Sequence, residues 1–131
     1  IQERDIQYNI ENDLPLPEGI TRIAGNMNLE GYSPPLPASL TQVDGHVFLC
    51  DYPHPLSENL KQVGGDVDLF DYYHPLPEGL TQIGGNLAIE QHPFQLPMGL
   101  EVKGKIYGWE NHRHELPPQL AEKVENEQIK P

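Results

Sequence analysis

The stretch LPEGLTQIGGNLAI, residues 76–89, decides the fold. Its second half alternates, because Leu87 and Ile89 are separated by Ala88, and alternation is typical of a β-strand with one buried face. Gly85 stands just before this strand, where the backbone needs positive φ or room for a close neighbour. The stretch therefore predicts a corner followed by a short, half-buried strand.

The same pattern recurs every twenty residues along most of the chain. Its first leucine recurs without a slip at Leu16, Leu36, Leu56, Leu76, Leu96 and Leu116. Its glycine recurs at Gly25, Gly45, Gly65 and Gly85. Twenty residues are too few for a pair of helices and suit one coil of a solenoid. Each unit supplies about five aliphatic side chains to a core that it could not bury alone.

The fifth unit departs from this register. Val102, Gly104 and Ile106 stand one place early, and Trp109 returns to the twenty-residue spacing. We interpret the departure as one residue lost near Glu101 and a compensating bulge just after Ile106.

The predicted organisation has three parts. An N-terminal cap covers 1–13, a solenoid of about five to six coils covers 14–116, and a C-terminal cap covers 117–131. In the first part, a degenerate first unit or a cap is indicated by Ile6, Tyr8 and Ile10. In the last, Pro117 begins a short predicted helix on which Leu120 and Val124 share a face. The fold class is mainly β, with a small C-terminal helix.

Two motifs carry a family resemblance. Leu80-x-x-Ile83-x-Gly85-x-Leu87-x-Ile89 resembles the coils of receptor L domains, which are short right-handed β-helices related to leucine-rich repeats. Leu76-Pro77-x-x-Leu80 resembles the twenty-residue Leu-Pro-x repeats of bacterial effector leucine-rich domains. The resemblance covers about residues 14–120 and implies a right-handed, leucine-rich-repeat-like β-solenoid that binds other proteins. The disulfides of receptor ectodomains and the ligase domain of some effectors are absent, so it implies neither a receptor nor a ligase.

The charge excludes some classes of partner. The chain has eight Lys and Arg and twenty Asp and Glu, which gives a net charge of −12 with neutral His. Such a surface repels phosphate, which excludes nucleic-acid binding through a basic face and disfavours anionic membranes. From Ile23 to Val102 ten acids accompany a single basic residue, Lys61. Carboxylates in rows on a rigid solenoid could occupy a basic groove, or could serve solubility alone.

The variable residues of each unit supply the candidate binding site. Tyr32, Tyr52 and Tyr72 share one column, and His54 and His74 share another. We expect an aromatic and imidazole stripe on an outward edge, flanked by carboxylates and suited to a protein interface. The alternative is that like rings stack and seal the edge. The predicted partner-binding residues are Tyr32, Tyr52, Tyr72, Tyr73, His54, His74, Phe94, Glu30, Asp51, Asp71, Glu90, Asp66 and Asp68.

Catalytic and metal chemistry find less support. His92, His112 and His114, with Glu90 or Glu110 nearby, form a weak alternative metal site, and the same histidines could make binding depend on pH. Cys50 and His54 lack a third group to orient them, and no phosphate-binding glycine motif occurs. We therefore expect neither enzymatic activity nor a cofactor.

The sequence as a whole predicts a non-enzymatic acidic protein, monomeric or homodimeric, that binds a protein partner with a basic surface. In its sharpest form this is an inhibitor that blocks a nucleic-acid-binding surface, as phage or mobile-element counter-defence proteins do. The single Cys50 and the absence of a signal-peptide pattern in the first five residues predict a cytoplasmic location. The alternatives are a metal- or pH-responsive binding protein and a structural repeat fragment of a larger polypeptide.

Overall fold

The structure, a computed structural model, describes residues 3–90, 92, 95–108, 117 and 120. A helix, α1 (Glu3–Glu11), precedes a series of two-residue strands. The strands are β1 (Arg22–Ile23), β2 (Met27–Asn28), β3 (Gln42–Val43), β4 (Val47–Phe48), β5 (Gln62–Val63), β6 (Val67–Asp68), β7 (Gln82–Ile83), β8 (Leu87–Ala88), β9 (Glu101–Val102) and β10 (Ile106–Tyr107). Odd-numbered strands form one parallel sheet, sheet A, and even-numbered strands form a second, sheet B. The protein is therefore a β-solenoid in which each coil gives one strand to each sheet.

The register between neighbouring coils follows the sequence repeat. Val43 pairs with Val63, and Val63 pairs with Ile83, each twenty residues on. Ile83 then pairs with Val102, only nineteen residues on. The predicted loss of one residue in the fifth unit is therefore confirmed. Trp109, which was expected to restore the spacing, lies outside the described residues.

The core is the set of aliphatic columns that the repeat predicted. In sheet A the second residue of each strand points inward, and in sheet B the first residue does. Leu87 and Ile89 are fully buried, as the alternation indicated, whereas Ala88 is only partly buried. Successive coils therefore share one continuous hydrophobic interior.

Close stacking of the backbone explains the glycine at each corner between the sheets. A Cβ at Gly85 would lie 2.8 Å from the carbonyl carbon of Gly65 and 2.1 Å from Oδ1 of Asp66. Ordinary van der Waals contact begins near 3.4 Å, so neither approach leaves room for a side chain. The predicted corner is confirmed, and its cause is the close approach of the preceding coil.

The tyrosine column corrects the expected outward stripe. Tyr32, Tyr52 and Tyr72 are at most 2% exposed and belong to the core. The hydroxyl of Tyr52 donates to the carbonyl of Pro34 at 2.8 Å, and that of Tyr72 donates to the carbonyl of His54 at 2.8 Å. Because each hydroxyl finds a carbonyl of the preceding coil, the ring is buried without an unsatisfied polar atom. The prediction that these three tyrosines face a partner is wrong.

Stacking, the alternative explanation of these rings, is confirmed along the same column. The rings of Tyr32 and Tyr52 lie 6.2 Å apart at an angle of 19°. The rings of Tyr72 and His92 lie 6.2 Å apart at 6°, and His92 is itself 2% exposed. The column therefore seals one corner of the solenoid.

The two ends are described to different extents. At the N-terminus the chain forms α1, not a degenerate coil, and Ile6 is buried in the core with Ile10 packed against it. At the C-terminus Leu120 is buried, and its N–H donates to the carbonyl of Pro117 at 2.9 Å. The rest of the predicted cap at 117–131 lies outside the described residues.

Candidate protein-binding surface

The turn that follows each strand of sheet B positions the acidic side chains. Gly31, Asp51 and Asp71 occupy the same place in three successive coils, and their φ angles are 78°, 60° and 55°. Left-handed backbone is accessible to Gly and tolerated by Asp and Asn. Asp68 stabilises the same turn, because its Oδ1 accepts the backbone N–H of Phe70 at 3.0 Å. The turn geometry explains a short polar residue here but does not by itself require a charge.

These turns gather carboxylates around the only cysteine. Ligand atoms of Cys50, Asp51 and Asp71 all lie within 4.8 Å of one another. Partial burial, together with the nearby charges of Asp51, Glu30, Asp71 and Asp68, raises the pKa of the Cys50 thiol. We call the four acids the acidic turn cluster: Glu30, Asp51, Asp68 and Asp71. They come from three coils, so the cluster forms only when the coils stack.

Two exposed aromatic rings lie beside this cluster. Phe70 is 40% exposed and Tyr73 is 57% exposed. The Tyr73 hydroxyl donates to Oδ1 of Asp71 at 3.1 Å, and this hydrogen bond is the main reason that the pKa of Tyr73 is raised. The ring of Tyr73 and the carboxylate of Asp71 are therefore in contact on the surface. That Tyr73, Asp51 and Asp71 bind a partner stays a prediction.

The predicted histidines His54 and His74 support the turns. Nε2 of His54 lies 2.8 Å from the carbonyl oxygen of Ser33, and Nε2 of His74 lies 2.9 Å from that of Pro53. Both rings are half-buried against Tyr52 and Tyr72 respectively. A ring nitrogen beside a carbonyl is a donor, so each histidine ties its turn to the preceding coil.

The remaining predicted residues are scattered. Asp66 lies at the corner between the sheets, where its Oδ1 accepts the N–H of Asn86 at 2.7 Å. Glu90 is exposed one coil beyond Phe70. Phe94 lies outside the described residues.

The structure offers little to the metal alternative. Nδ1 of His92 lies 2.9 Å from the carbonyl oxygen of Tyr72, which places the ring inside the stack. His112 and His114 lie outside the described residues, so a site built from these histidines stays a prediction.

Cys50, Asp51 and Asp71 have the spacing of cation ligands. However, exposed acidic groups commonly lie this close together without a cation.

Sequence reasoning missed one surface feature. Gln42, Gln62 and Gln82 line a shallow groove of about 320 Å³ on the outer face of sheet A, whose floor includes Gly64 and Gly84. The available signal was a polar column at a strict twenty-residue spacing, each member directly before a buried Val or Ile.

Comparisons with protein-family models, with curated proteins and with solved structures found no match to this chain. Helices in the described part of the chain are too short or too polar to cross a membrane.

Proposed function

We propose that this protein is a non-enzymatic binding protein that docks a basic protein surface on its acidic turn cluster and on the neighbouring rings of Phe70 and Tyr73. The observation that carries the proposal is that carboxylate oxygens of Asp51 and Asp71, from two successive coils, lie within 4.8 Å of each other and of the Cys50 sulfur. The charges of Glu30 and Asp68 are near enough to help raise the pKa of the same thiol. Their backbone is fixed by stacking, so binding does not have to order a loop. The resemblance of the repeats to leucine-rich domains, which mostly bind proteins, supports the same class.

Charge supports a basic partner. With a net charge of −12, the protein attracts basic surfaces from a distance, and a local cluster then fixes where they dock. Paired strands lie about 4.8 Å apart, so acids at the same place in successive coils, as Asp51 and Asp71 are, repeat on the scale of the phosphates in a nucleic-acid strand. The sharpest form of the proposal is an inhibitor that occupies a nucleic-acid-binding groove.

The exposed rings favour arginine on the partner. A guanidinium group can lie over the ring of Tyr73 while it donates to the carboxylate of Asp71. Phe70 adds apolar area at the same edge. Solubility, the competing explanation of the charge, requires carboxylates on the surface but no such combination with rings.

Matched neutralisation separates binding from solubility. One variant replaces the acidic turn cluster with amides: Glu30→Gln, Asp51→Asn, Asp68→Asn and Asp71→Asn. The control removes the same number of charges elsewhere: Glu18→Gln, Glu58→Gln, Glu78→Gln and Glu101→Gln, all at exposed positions. Wild type and control should capture the same partner from the native host at low salt and release it at high salt, and the cluster variant should not. Equal capture by all three proteins would contradict the proposal.

The inhibitor form has its own test. If the captured partner binds nucleic acid, a labelled oligonucleotide should be displaced from it by the wild type and not by the cluster variant. A partner that binds the protein and the oligonucleotide at the same time would refute occupation of the groove and leave protein binding in place.

A further inference from the structure

The outer face of sheet A presents two columns of outward-pointing residues. The first residue of each of its strands points away from the core while the second is buried. This outward column is Arg22, Gln42, Gln62, Gln82 and Glu101. Two residues further along each coil lies a second outward column: Ala24, Asp44, Gly64, Gly84 and Lys103. We call the two columns together the glutamine face.

The glutamine face carries no net charge. Arg22 and Lys103 balance Asp44 and Glu101, whereas the whole chain has a net charge of −12. Like-charged molecules repel, so two copies approach each other with least repulsion through a neutral face. One opposite pair on it is already joined within the chain, since Nε of Arg22 donates to Oδ2 of Asp44 at 2.8 Å.

The face also has a ridge and a groove. Gln42, Gln62 and Gln82 form the ridge, and the groove of about 320 Å³ runs beside it over Gly64 and Gly84. A Cβ at Gly64 would lie 2.3 Å from the carbonyl oxygen of Asp44. At Gly84 it would lie 2.4 Å from the carbonyl oxygen of Gly64. The stacking of the coils therefore excludes a side chain at Gly64 and at Gly84, and the groove stays open above these two glycines.

We propose that two copies of this chain pair face to face through the glutamine face, about a two-fold axis parallel to the stacking direction. This rotation lays each column on the other column of the partner, and every contact occurs twice. Gln62 and Gln82 then enter the groove over the partner's Gly64 and the partner's Gly84. Glu101 meets the partner's Lys103, and Gln42 meets the partner's Asp44.

A two-fold axis along the strands would give a different pairing. It would set ridge on ridge and groove on groove, with Arg22 opposite the partner's Glu101. The charges would still match, but the groove would stay empty, and empty space at an interface forfeits packing energy. Ridge-into-groove packing therefore favours the axis along the stack.

The pairing is independent of the proposed function. The acidic turn cluster follows the strands of sheet B and shares no residue with the glutamine face. A dimer would carry two such clusters, and a failed dimer would leave the proposed function intact.

Charge reversal tests the pairing. By sedimentation velocity up to ~1 mM, the wild type should form a dimer, and Lys103→Glu should weaken it at least tenfold because two carboxylates then face each other. The double variant Glu101→Lys with Lys103→Glu restores opposite charges and should restore the dimer. Circular dichroism verifies that each variant is folded. A wild type that is monomeric throughout, or a dimer indifferent to Lys103→Glu, would overturn the proposal.

Disulfide cross-linking tests the orientation in a Cys50→Ser background, which removes the native thiol. A mixture of Glu101→Cys and Lys103→Cys chains should form a mixed disulfide dimer under mild oxidation. A mixture of Arg22→Cys and Glu101→Cys chains should not. The proposed arrangement would be overturned if the second mixture cross-linked and the first did not. It would also be overturned if neither mixture cross-linked.

Discussion

Oδ1 of Asn26 accepts the backbone N–H of His46, one coil along the stack, at 2.8 Å. The relationship then repeats from coil to coil. Nδ1 of His46 accepts the N–H of Asp66 at 2.8 Å, and Oδ1 of Asp66 accepts the N–H of Asn86 at 2.7 Å. Oδ1 of Asn86 accepts the N–H of Lys105 at 2.8 Å. This corner ladder ties each corner between the sheets to the next, using Asn, His and Asp for one and the same task.

The corner ladder predicts which substitutions at residue 46 are tolerated. His46→Ala removes the acceptor for the N–H of Asp66 and should lower the free energy of unfolding by about 1 kcal/mol. His46→Asn supplies the acceptor found at Asn26 and Asn86 and should stay close to wild type. Urea denaturation measures both. Equal losses in the two variants would show that the ladder does not contribute.

The corner glycines predict a sharp contrast between two Gly→Ala substitutions. At Gly85 the added Cβ overlaps the backbone of the preceding coil, so Gly85→Ala should cost about 1–3 kcal/mol of unfolding free energy. At Gly99 no atom lies within 4 Å of the added Cβ, so Gly99→Ala should change stability by less than about 0.5 kcal/mol. Thermal unfolding compares the two. A harmless Gly85→Ala would contradict the close stacking.

The buried tyrosines predict a loss of stability in alkali. Burial raises the pKa of Tyr52 and of Tyr72. The unfolded chain therefore releases these protons at lower pH than the folded chain does, and their contribution to stability is lost as the pH rises above about 10. Urea midpoints from pH 8 to 11 should fall less steeply in the variant with Tyr52→Phe and Tyr72→Phe than in wild type. Parallel slopes would contradict the burial of these hydroxyls.

Cys50 predicts a chemical readout of the acidic turn cluster. The nearby carboxylates help to raise the pKa of its thiol, and alkylation requires the thiolate. Replacing Asp51 and Asp71 with Asn keeps residues that tolerate positive φ. It should speed alkylation by iodoacetamide at pH 8 by roughly fivefold to twentyfold, since each unit charge ~4 Å away in water is worth about 1 kcal/mol and two are removed. The matched control is Glu18→Gln with Glu78→Gln, whose rate should equal that of wild type. An unchanged rate in the Asn variant would place the carboxylates away from the thiol.

The coil architecture was predictable because its determinants are local and repeated. Leu80, Ile83 and Leu87 mark core positions, and Gly85 marks the corner. Val102 stands one place before the twenty-residue spacing, which indicated that the fifth unit lacks one residue. The strand that each coil gives to sheet A was not predicted. Gln62–Val63 has no alternation long enough to indicate a strand, and its pairing with the neighbouring coils is what defines it.

The candidate site was predictable only in part. Tyr is amphipathic, so the exposure of Tyr72 depends on whether a carbonyl elsewhere accepts its hydroxyl. The acceptor is the carbonyl of His54, eighteen residues earlier. Asp51 and Asp71 were found because acids fill the variable positions of the repeat. Their convergence on Cys50 depends on turn dihedrals that the sequence only hints at.

The core, the acidic turn cluster and the glutamine face all depend on parallel stacking in the register described. Nuclear Overhauser effects between backbone protons of labelled protein test this stacking most directly. Parallel stacking predicts contacts between Val63 and Ile83, twenty residues apart, and between Ile83 and Val102, nineteen apart. Helical contacts over residues 60–90, or contacts of Ile83 with partners at other separations, would contradict it.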